Sequence, residues 1–349
     1  MKKRIYICNT GGTIGMQAGA GGYQTCQGFL ESQMRDIPEI THPSMPDYEL
    51  NEYDPLLDSA NMRPANWLGI ARDISSRYSE FDGFVVIHGT DTMAYTASAL
   101  AFLIQGLGKP VVLTGSQIPL CEIRNDAREN LITSMLIAAN SRVPEVTICF
   151  GGYLLRGCRS RKVTASGFDA FQSPNLSPLG TIGTEINIRT ERVLSASGKS
   201  FGLMFERDRC PQVAAFRLFP GMDHEILDNL FRPPLKGIVI EAFGVGNAPS
   251  EDPKFLQVIR SATDRGVVVV VCSQCTQGVV DLKGYASGQA LEKAGAISGM
   301  DMTAEAALAK LYCLLNCELE RKELESMMQA DLAGELTMPG EVRASAQSG

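Results

Sequence analysis

Two polar segments of this chain follow predicted apolar strands and carry threonine hydroxyls in tight turns. Residues 10–15 read Thr-Gly-Gly-Thr-Ile-Gly after an apolar run, and residues 88–93 read His-Gly-Thr-Asp-Thr-Met after another. Open α/β sheets bind ligands at the carboxyl ends of their parallel strands. Thr13 and Thr90 are therefore candidate nucleophiles for chemistry on a small polar substrate.

Each turn also has a purely structural interpretation. The first lacks the G-x-G-x-x-G spacing of a dinucleotide site, so it could be a plain turn. In the second, Asp91 or Thr92 could simply cap the helix that follows. A third turn, residues 114–117 (Thr-Gly-Ser-Gln), also ends a predicted strand. This recurrence at strand ends favours a functional site.

A threonine hydroxyl needs a base nearby and donors for a developing oxyanion. Lysine serves as a base where burial or other cations lower its pKa. Lys162 ends a loop, residues 156–162, in which three arginines precede it. The alternative for such a run is a solvated surface loop.

Two further sets of residues could contact a ligand. Asp58 and Ser59 close an acidic segment and could hold a zwitterion, although an Asx or Ser turn explains them equally well. Tyr23 ends a glycine-rich stretch, residues 19–23, whose composition is typical of a mobile lid. Lids exclude water from amide and ester chemistry.

The order of apolar runs and helical patterns predicts an α/β fold with two domains. Strands are expected at residues 5–8, 84–87, 111–113 and 146–150, and helices at 65–78, 92–105 and 126–140. This alternation indicates a parallel sheet covered on both faces. The pattern restarts with strands at 236–242 and 267–271 and helices at 252–264 and 303–319.

The domain boundaries follow from the break between these patterns. We predict a larger N-terminal parallel-sheet domain over residues 1–188 and a smaller C-terminal α/β domain over 213–349. The polar segment 189–212 lacks a sustained period and is the predicted linker. Residues 338–349 are small and polar, and we expect them to be frayed.

Composition excludes several classes of function. The net charge of −7 argues against nucleic acid or an anionic membrane as the main partner. No apolar run suits a signal peptide or a membrane span, so a cytoplasmic protein is predicted. The ten cysteines lie mostly in apolar segments and are expected to be reduced. Cys272 and Cys275 lack a second pair, so no metal or redox cofactor is predicted.

The two threonine segments resemble the signatures of a known family. Residues 10–16 and 83–94 are similar to the two signatures of the bacterial-type L-asparaginases, most closely the cytoplasmic type I branch. Collinear similarity extends over nearly the whole chain, including residues 113–119, 167–171 and 244–249. The resemblance implies hydrolysis of L-asparagine to L-aspartate and ammonia through an acyl-enzyme intermediate, without metal or cofactor.

The resemblance also implies roles for the candidate residues. Thr13 is the expected nucleophile, on a flexible loop that also carries Tyr23. Thr90, Asp91 and Lys162 would form a rigid group that activates the attack or the water. The sequence leaves open which threonine is the primary nucleophile.

Substrate contacts carry over in the same way. Asp58 and Ser59 match positions near the amino-acid head group, and Asp91 matches a partner for the α-ammonium. Ser116 matches a position that lines the amide end, and Gly89 lies in the same turn as Asp91.

The family assembles as homotetramers, each a dimer of dimers, and the same assembly is expected here. Arg161 and Glu241 depart from the threonine and arginine found in type I relatives. Both positions lie in the region implicated in effector binding, so these departures argue against allosteric control by asparagine.

Two alternative functions stay open. The same core serves as the ammonia-releasing subunit of archaeal tRNA-dependent amidotransferases, which carry an additional N-terminal domain. Here the first strand begins within a few residues of Met1, and the acidic pI argues weakly against a tRNA partner. A noncatalytic amino-acid-binding α/β protein is the other alternative.

Overall fold

The computed structural model describes residues 2–19, 21–140, 142–196 and 198–338, which divide into two compact units. The main division falls between Met204 and Phe205, and residues 174–176 group with the second unit. The predicted linker is thus shared, with residues 189–204 in the first unit and 205–212 in the second. The frayed end predicted for 338–349 lies, apart from Met338, outside the described residues.

The first unit is built around one large sheet. Its strands are β1 (Arg4–Gly11), β2 (Met16–Gly19), β3 (Gly22–Thr25), β4 (Asp47–Leu57), β5 (Gly83–Ile87), β6 (Ile104–Gln105), β7 (Val111–Thr114), β8 (Val146–Phe150), β9 (Tyr153–Arg156), β10 (Arg161–Lys162), β11 (Phe171–Gln172), β12 (Gly180–Ile182), β13 (Ile186–Ile188) and β14 (Gly202–Leu203). Eight of these described strands form the sheet in the order β13-β12-β9-β8-β7-β5-β1-β4. Its parallel part, from β4 to β8, contains the four strands predicted for this half.

The other edge of this sheet is antiparallel, which the sequence pattern did not predict. Strands β8 and β9 pair antiparallel across a two-residue loop, Gly151 and Gly152, whose φ angles are 56° and 85°. Both residues thus adopt the left-handed conformation that tight hairpins require and that glycine adopts most readily. The hairpin reverses the chain where a parallel sheet would need a long crossover.

Four helices of the described first unit accompany the sheet: α1 (Phe29–Arg35), α2 (Pro64–Arg77), α3 (Met93–Leu103) and α4 (Ala127–Ala138). One face of the sheet packs against α1 and α4, where Ile5 and Val85 share a core with Leu131 of α4. On the other face, Tyr6 and Phe84 contact each other and Phe84 stacks on Tyr78 at the end of α2. Successive strand residues therefore face opposite layers, as in a sheet buried on both sides.

The second unit has the architecture predicted for the C-terminal half. Its elements are β15 (Gln212–Arg217), α5 (His224–Leu230), β16 (Leu235–Ala242), α6 (Pro253–Asp264), β17 (Val268–Ser273), α7 (Ala286–Lys293), β18 (Ile297–Ser298), α8 (Ala304–Asn316) and α9 (Arg321–Met328). The sheet is parallel, in the order β15-β16-β17-β18. The prediction of two α/β domains, the first larger than the second, is confirmed.

A buried ion pair fastens the segment after α9 to α8. The Lys310 ammonium contacts the Glu335 carboxylate, and both side chains are completely buried. Lys310 also donates to the carbonyls of Met328 and Ala330. Burial alone would raise the pKa of the Glu335 carboxyl, but Lys310 and backbone donors such as Ala333 N–H hold that pKa below its usual value.

Other features of the described residues bear on function. The ten cysteines, all within the described residues, form no disulfide bonds; five are buried, and Cys272 is buried whereas Cys275 is exposed. Nowhere in the described ranges do three or more His, Cys, Asp or Glu side chains cluster in a way that could hold a metal ion. Among the described helices, none is both long enough and apolar enough to cross a membrane.

Candidate active site

Glycines allow the polar turns at the carboxyl edge of the large sheet to pack directly against one another. A Cβ atom on Gly12 would lie 2.4 Å from the backbone nitrogen of Gly89, and one on Gly89 would lie 2.5 Å from Ser59 Oγ. A Cβ on Gly115 would lie 2.2 Å from the carbonyl oxygen of His88. Gly12 also has a φ of 93°, which side chains rarely tolerate. Any larger residue would push these turns apart.

Lys162, Thr90 and Asp91 form one hydrogen-bonded group. The Lys162 Nζ donates to Thr90 Oγ1 at 2.8 Å and to Asp91 Oδ1 at 2.7 Å. Thr90 is 6% exposed, whereas the Asp91 side chain is 62% exposed. Lys162 reaches this group from β10, which is paired with β11. The cationic loop is thus partly buried, and its last residue points at a threonine.

The helix-capping alternative for this turn is correct in the position of Thr92 but not in its hydrogen bonding. Thr92 occupies the N-cap position of α3, but its side chain makes no capping hydrogen bond. Its hydroxyl donates instead to the carbonyl oxygen of Ser59 at 2.8 Å. The Asp91 carboxylate accepts from Lys162. Both side chains therefore join neighbouring segments to the turn.

The direction of these hydrogen bonds restricts the chemistry. An ammonium group has three donors and no acceptor, so charged Lys162 stabilises negative charge on Thr90 Oγ1. It can accept a proton from Thr90 only after releasing one of its own. With Lys162 donating, the Thr90 hydroxyl points its own proton at Gln117 Oε1, 3.3 Å away.

Gln117 is a residue of this site that the sequence analysis did not single out. Its Nε2 donates to the carbonyl oxygen of Gly167 at 3.0 Å, which fixes which end of the amide faces Thr90. Its backbone N–H donates to the Asp126 carboxylate at 3.0 and 3.1 Å. The available signal was its position at the end of β7, in the third polar turn.

Thr13 and Tyr23 lie near Gln117. All three line one open cavity of about 520 Å³, together with residues of the loop 118–124. Within the described part of the chain, the Thr13 hydroxyl makes no hydrogen bond, and it is therefore available to a ligand. The Tyr23 hydroxyl donates to Glu122 Oε1 at 2.8 Å, and this bond raises the pKa of Tyr23.

His88 supports the second turn from inside the sheet. It is fully buried, with Nδ1 2.7 Å from Gly89 O and Nε2 2.8 Å from Thr96 Oγ1. Since a carbonyl only accepts, Nδ1 carries the proton and Nε2 accepts from the Thr96 hydroxyl. Burial lowers the pKa of His88 to about 4, so the ring is neutral at pH 7 and serves as a fixed support.

The predicted substrate-binding residues make local hydrogen bonds. Asp58 Oδ1 accepts from Ala60 N–H at 3.1 Å and caps a short 3₁₀ helix, which is the Asx turn considered for it. Ser59 is 2% exposed and touches Gly89. The Ser116 hydroxyl donates to the carbonyl of Ile118 at 2.7 Å. Substrate contacts for these residues stay predictions.

The structure thus brings the candidate residues into two neighbouring groups. Thr13 and Tyr23 border the cavity, and Thr90, Asp91 and Lys162 form the hydrogen-bonded group. Gln117 belongs to both, because it lines the cavity and accepts from Thr90. A threonine hydroxyl that is hydrogen-bonded to a lysine lies here at the sheet edge where α/β proteins bind ligands, with the adjacent polar group that hydroxyl chemistry requires.

Comparison with known proteins defines the family. The family model of the asparaginase N-terminal domain matches residues 4–194, and that of the glutaminase/asparaginase C-terminal domain matches residues 212–328. The chain is 47% identical to L-asparaginase 1 of Escherichia coli K12, over 96% of this chain and 98% of that protein. The chain therefore belongs to the asparaginase family, as its signatures predicted.

Two further relatives bear on the fold and on one of the alternatives. The crystal structure of L-asparaginase I from Vibrio cholerae matches with a TM-score of 0.89 and 45% identity, over 97% of this chain and all of that one. One component of the glutamyl-tRNA(Gln) amidotransferase of Aeropyrum pernix is 38% identical, over 96% of this chain and 80% of that protein.

Proposed function

We propose that this protein hydrolyses L-asparagine to L-aspartate and ammonia. One observation carries the proposal: the Lys162 ammonium donates hydrogen bonds to both Thr90 and Asp91, next to the cavity that Thr13 borders. High identity to an L-asparaginase over nearly the full length of both chains supports the choice of substrate.

In the first half of the reaction, the Thr13 oxygen attacks the side-chain amide carbon of asparagine. The C–O bond forms, the C–N bond breaks, and the proton lost by Thr13 leaves with the amide nitrogen as ammonia. The product is an aspartyl ester of Thr13. Backbone and side-chain donors around the turns stabilise the oxyanion, and one such donor typically contributes a factor of about 10²–10³ in rate.

In the second half, water hydrolyses the ester. The water oxygen bonds to the ester carbon as the ester C–O bond to Thr13 breaks. The Thr90 hydroxyl, held between Lys162 and Gln117, takes one proton from the water and gives its own proton to the departing Thr13 oxygen. Proton transfer by a positioned side chain contributes about 10²–10⁴ in rate. The reaction releases aspartate and restores the threonine.

Charge pairing would hold the zwitterionic substrate. One oxygen of Asp91 accepts a hydrogen bond from Lys162, and its second oxygen would accept from the α-ammonium. The contact of Ser59 with Gly89, two residues before Asp91, supports a head-group site formed by Asp58, Ser59 and Asp91. Such charge-assisted bonds are about twice as strong as neutral ones. Ser116 would line the amide end.

We further propose a cytoplasmic homotetramer, a dimer of dimers. The resemblance to the type I branch supports both points. Sedimentation velocity on the purified protein tests the assembly, and a tetrameric species is the expected result.

Ammonia release tests the proposed reaction and separates it from the alternatives. The purified protein is incubated with L-asparagine or L-glutamine, each with and without glutamyl-tRNA, and ammonia is measured. Asparagine should be the preferred substrate, with minor turnover of glutamine because one methylene changes binding by only about 1–3 kcal/mol. Ammonia only with the tRNA present would support the amidotransferase alternative. Asparagine binding without ammonia would support a binding protein.

A further inference from the structure

The segment that carries Thr13 and Tyr23 is held at its two ends and next to Thr13, where Ile14 is fully buried and its carbonyl oxygen accepts from Leu120 N–H at 3.1 Å. We call residues 12–27 the lid segment; Ala20 within it lies outside the described residues. It contains the antiparallel pair β2 and β3, and no described residue of these strands is buried. Because few buried contacts fix the strands themselves, the two ends of the segment contribute to where Thr13 lies.

The N-terminal end of the lid segment is fixed by Asn9. This residue is 1% exposed, and its Oδ1 accepts from the backbone N–H of Gly11 at 3.0 Å. Its Nδ2 donates to Glu52 Oε1 at 2.9 Å. Asn9 and Glu52 are also partners in the β1–β4 register, which shifts immediately afterwards so that Gly11 faces Leu57. The turn towards Thr13 begins at this shift.

The C-terminal end of the lid segment is fixed at Gly28. Its backbone N–H donates to Glu52 Oε2 at 2.6 Å. Gly28 is the N-cap residue of α1, with a φ of 74°, and it has no side chain that could cap the helix. The Glu52 carboxylate thus satisfies a helix-end donor that Gly28 leaves open.

We propose that Glu52 is a positioning residue for Thr13 because its two carboxylate oxygens join the two ends of the lid segment. This inference rests on the function proposed above. The groups on both sides of Glu52 are donors, the Asn9 amide and the Gly28 N–H. Only a carboxylate offers an acceptor on each oxygen, and its charge strengthens both bonds.

The substitution Glu52→Gln breaks this arrangement without changing the size of the side chain. A glutamine has one acceptor and one donor, so its NH₂ group must face either the Asn9 amide or the Gly28 N–H. A misplacement of about 1 Å can reduce turnover by 10²-fold, so we expect kcat to fall roughly 10- to 100-fold. The head-group residues lie outside the lid segment, and KM should change by less than about threefold.

A second substitution should restore the arrangement. In Glu52→Gln/Asn9→Asp, the glutamine oxygen can accept from Gly28 and its NH₂ group can donate to the introduced aspartate. The other aspartate oxygen can still accept from Gly11, and the net charge is unchanged. Asn9→Asp alone places two carboxylates next to each other and should lower kcat as Glu52→Gln does.

The test compares the wild type, the two single variants and the double variant. The matched control is Glu49→Gln, which is on the same strand but pairs with Arg77 at 2.5 Å. For each protein, kcat and KM are measured, together with hydrogen exchange of residues 12–27 by mass spectrometry. We expect faster exchange confined to the lid segment and a lower kcat in both single variants. The kcat and the exchange rate of the lid segment should return close to wild-type values in the double variant. Both quantities should be unchanged in the control.

Several results would overturn the inference. These are wild-type kcat and lid exchange in Glu52→Gln, no recovery in the double variant, or faster exchange throughout the chain, which would mean a general structural role. The exchange measurement does not depend on the substrate. If the wild type released no ammonia from asparagine, the proposed function would fail while the role of Glu52 in holding the lid segment would still be tested.

Discussion

The Lys162 ammonium donates a 2.8 Å hydrogen bond to the hydroxyl of Thr90, 72 residues earlier in the chain. The same ammonium donates to Asp91 at 2.7 Å, so one lysine holds two neighbouring side chains of the turn. This contact also directs the Thr90 proton to Gln117. The cationic loop and the second threonine turn, which are separate features of the sequence, thereby form one chemical group.

Replacing Lys162 with methionine should abolish most of the activity. The change keeps the length of the side chain but removes the ammonium that holds Thr90 for proton transfer, so kcat for asparagine should fall by about 10²–10⁴-fold. Lys254→Met, at an exposed position, is the matched control. Ammonia release under saturating asparagine measures the effect. A loss below tenfold would remove Lys162 from the mechanism.

Replacing Thr13 with valine should remove activity without lowering stability. The Thr13 hydroxyl has no hydrogen-bond partner among the described residues, so its loss leaves no buried group unpaired. Urea unfolding should give the wild-type free energy within about 0.5 kcal/mol, as for ordinary surface changes. Thr13→Ser, which keeps a hydroxyl, should retain measurable turnover. Equal activity in the valine and serine variants would argue that Thr13 is not the nucleophile.

His88 should make stability depend on pH. Its pKa in the folded chain is lowered by burial to about 4, below the ordinary value of 6.5. The unfolded chain therefore binds a proton first, so this contribution is fully present above pH 6.5 and is lost as the pH falls to about 4. The free energy of unfolding should drop by on the order of 3 kcal/mol over that window.

Nuclear magnetic resonance measures this pKa directly. The imidazole signals of His88 can be identified by their absence in a His88→Gln variant, and titration should place the midpoint near pH 4. A midpoint at or above 6 would contradict the neutral, buried assignment and its hydrogen bonds to Gly89 and Thr96.

Breaking the buried pair in the second unit should be strongly destabilising. Lys310→Met leaves the Glu335 carboxylate buried without its cation, and breaking such a pair costs about 3–5 kcal/mol. Adding Glu335→Gln removes the uncompensated charge and should recover part of the loss. Urea denaturation of the single and double variants measures both effects. A double variant less stable than Lys310→Met alone would show that charge burial is not the dominant cost.

The parallel strands were predictable from the sequence because strands buried on both faces appear as continuous apolar runs. The same runs placed Thr13 and Thr90 at the edge where sites form. The hairpin at Gly151 and Gly152 was not predicted, because a short apolar strand looks the same whether its neighbour is parallel or antiparallel. The local pattern of apolar residues therefore predicts where strands lie better than it predicts which strands pair and in which direction.

The contacts within the site depended on three-dimensional packing. Which turns touch is set by strand order, and the close approach of Gly12 to Gly89 exists because β1 lies beside β5. Gln117 was missed for the same reason, since a neutral amide at a strand end acquires meaning only from its contact with Thr90. Glu52 is one of several acidic residues in its segment of the sequence, and only the fold places its two oxygens on opposite ends of the lid segment.

The residue that carries the aspartyl group during turnover identifies the nucleophile. The wild-type protein is mixed with excess L-asparagine, quenched in acid within the first turnovers, digested and analysed by mass spectrometry, with ammonia measured in parallel. We predict an aspartyl ester on the peptide that contains Thr13. An ester on the peptide that contains Thr90, or a burst of ammonia with Thr13 unmodified, would contradict the proposed mechanism.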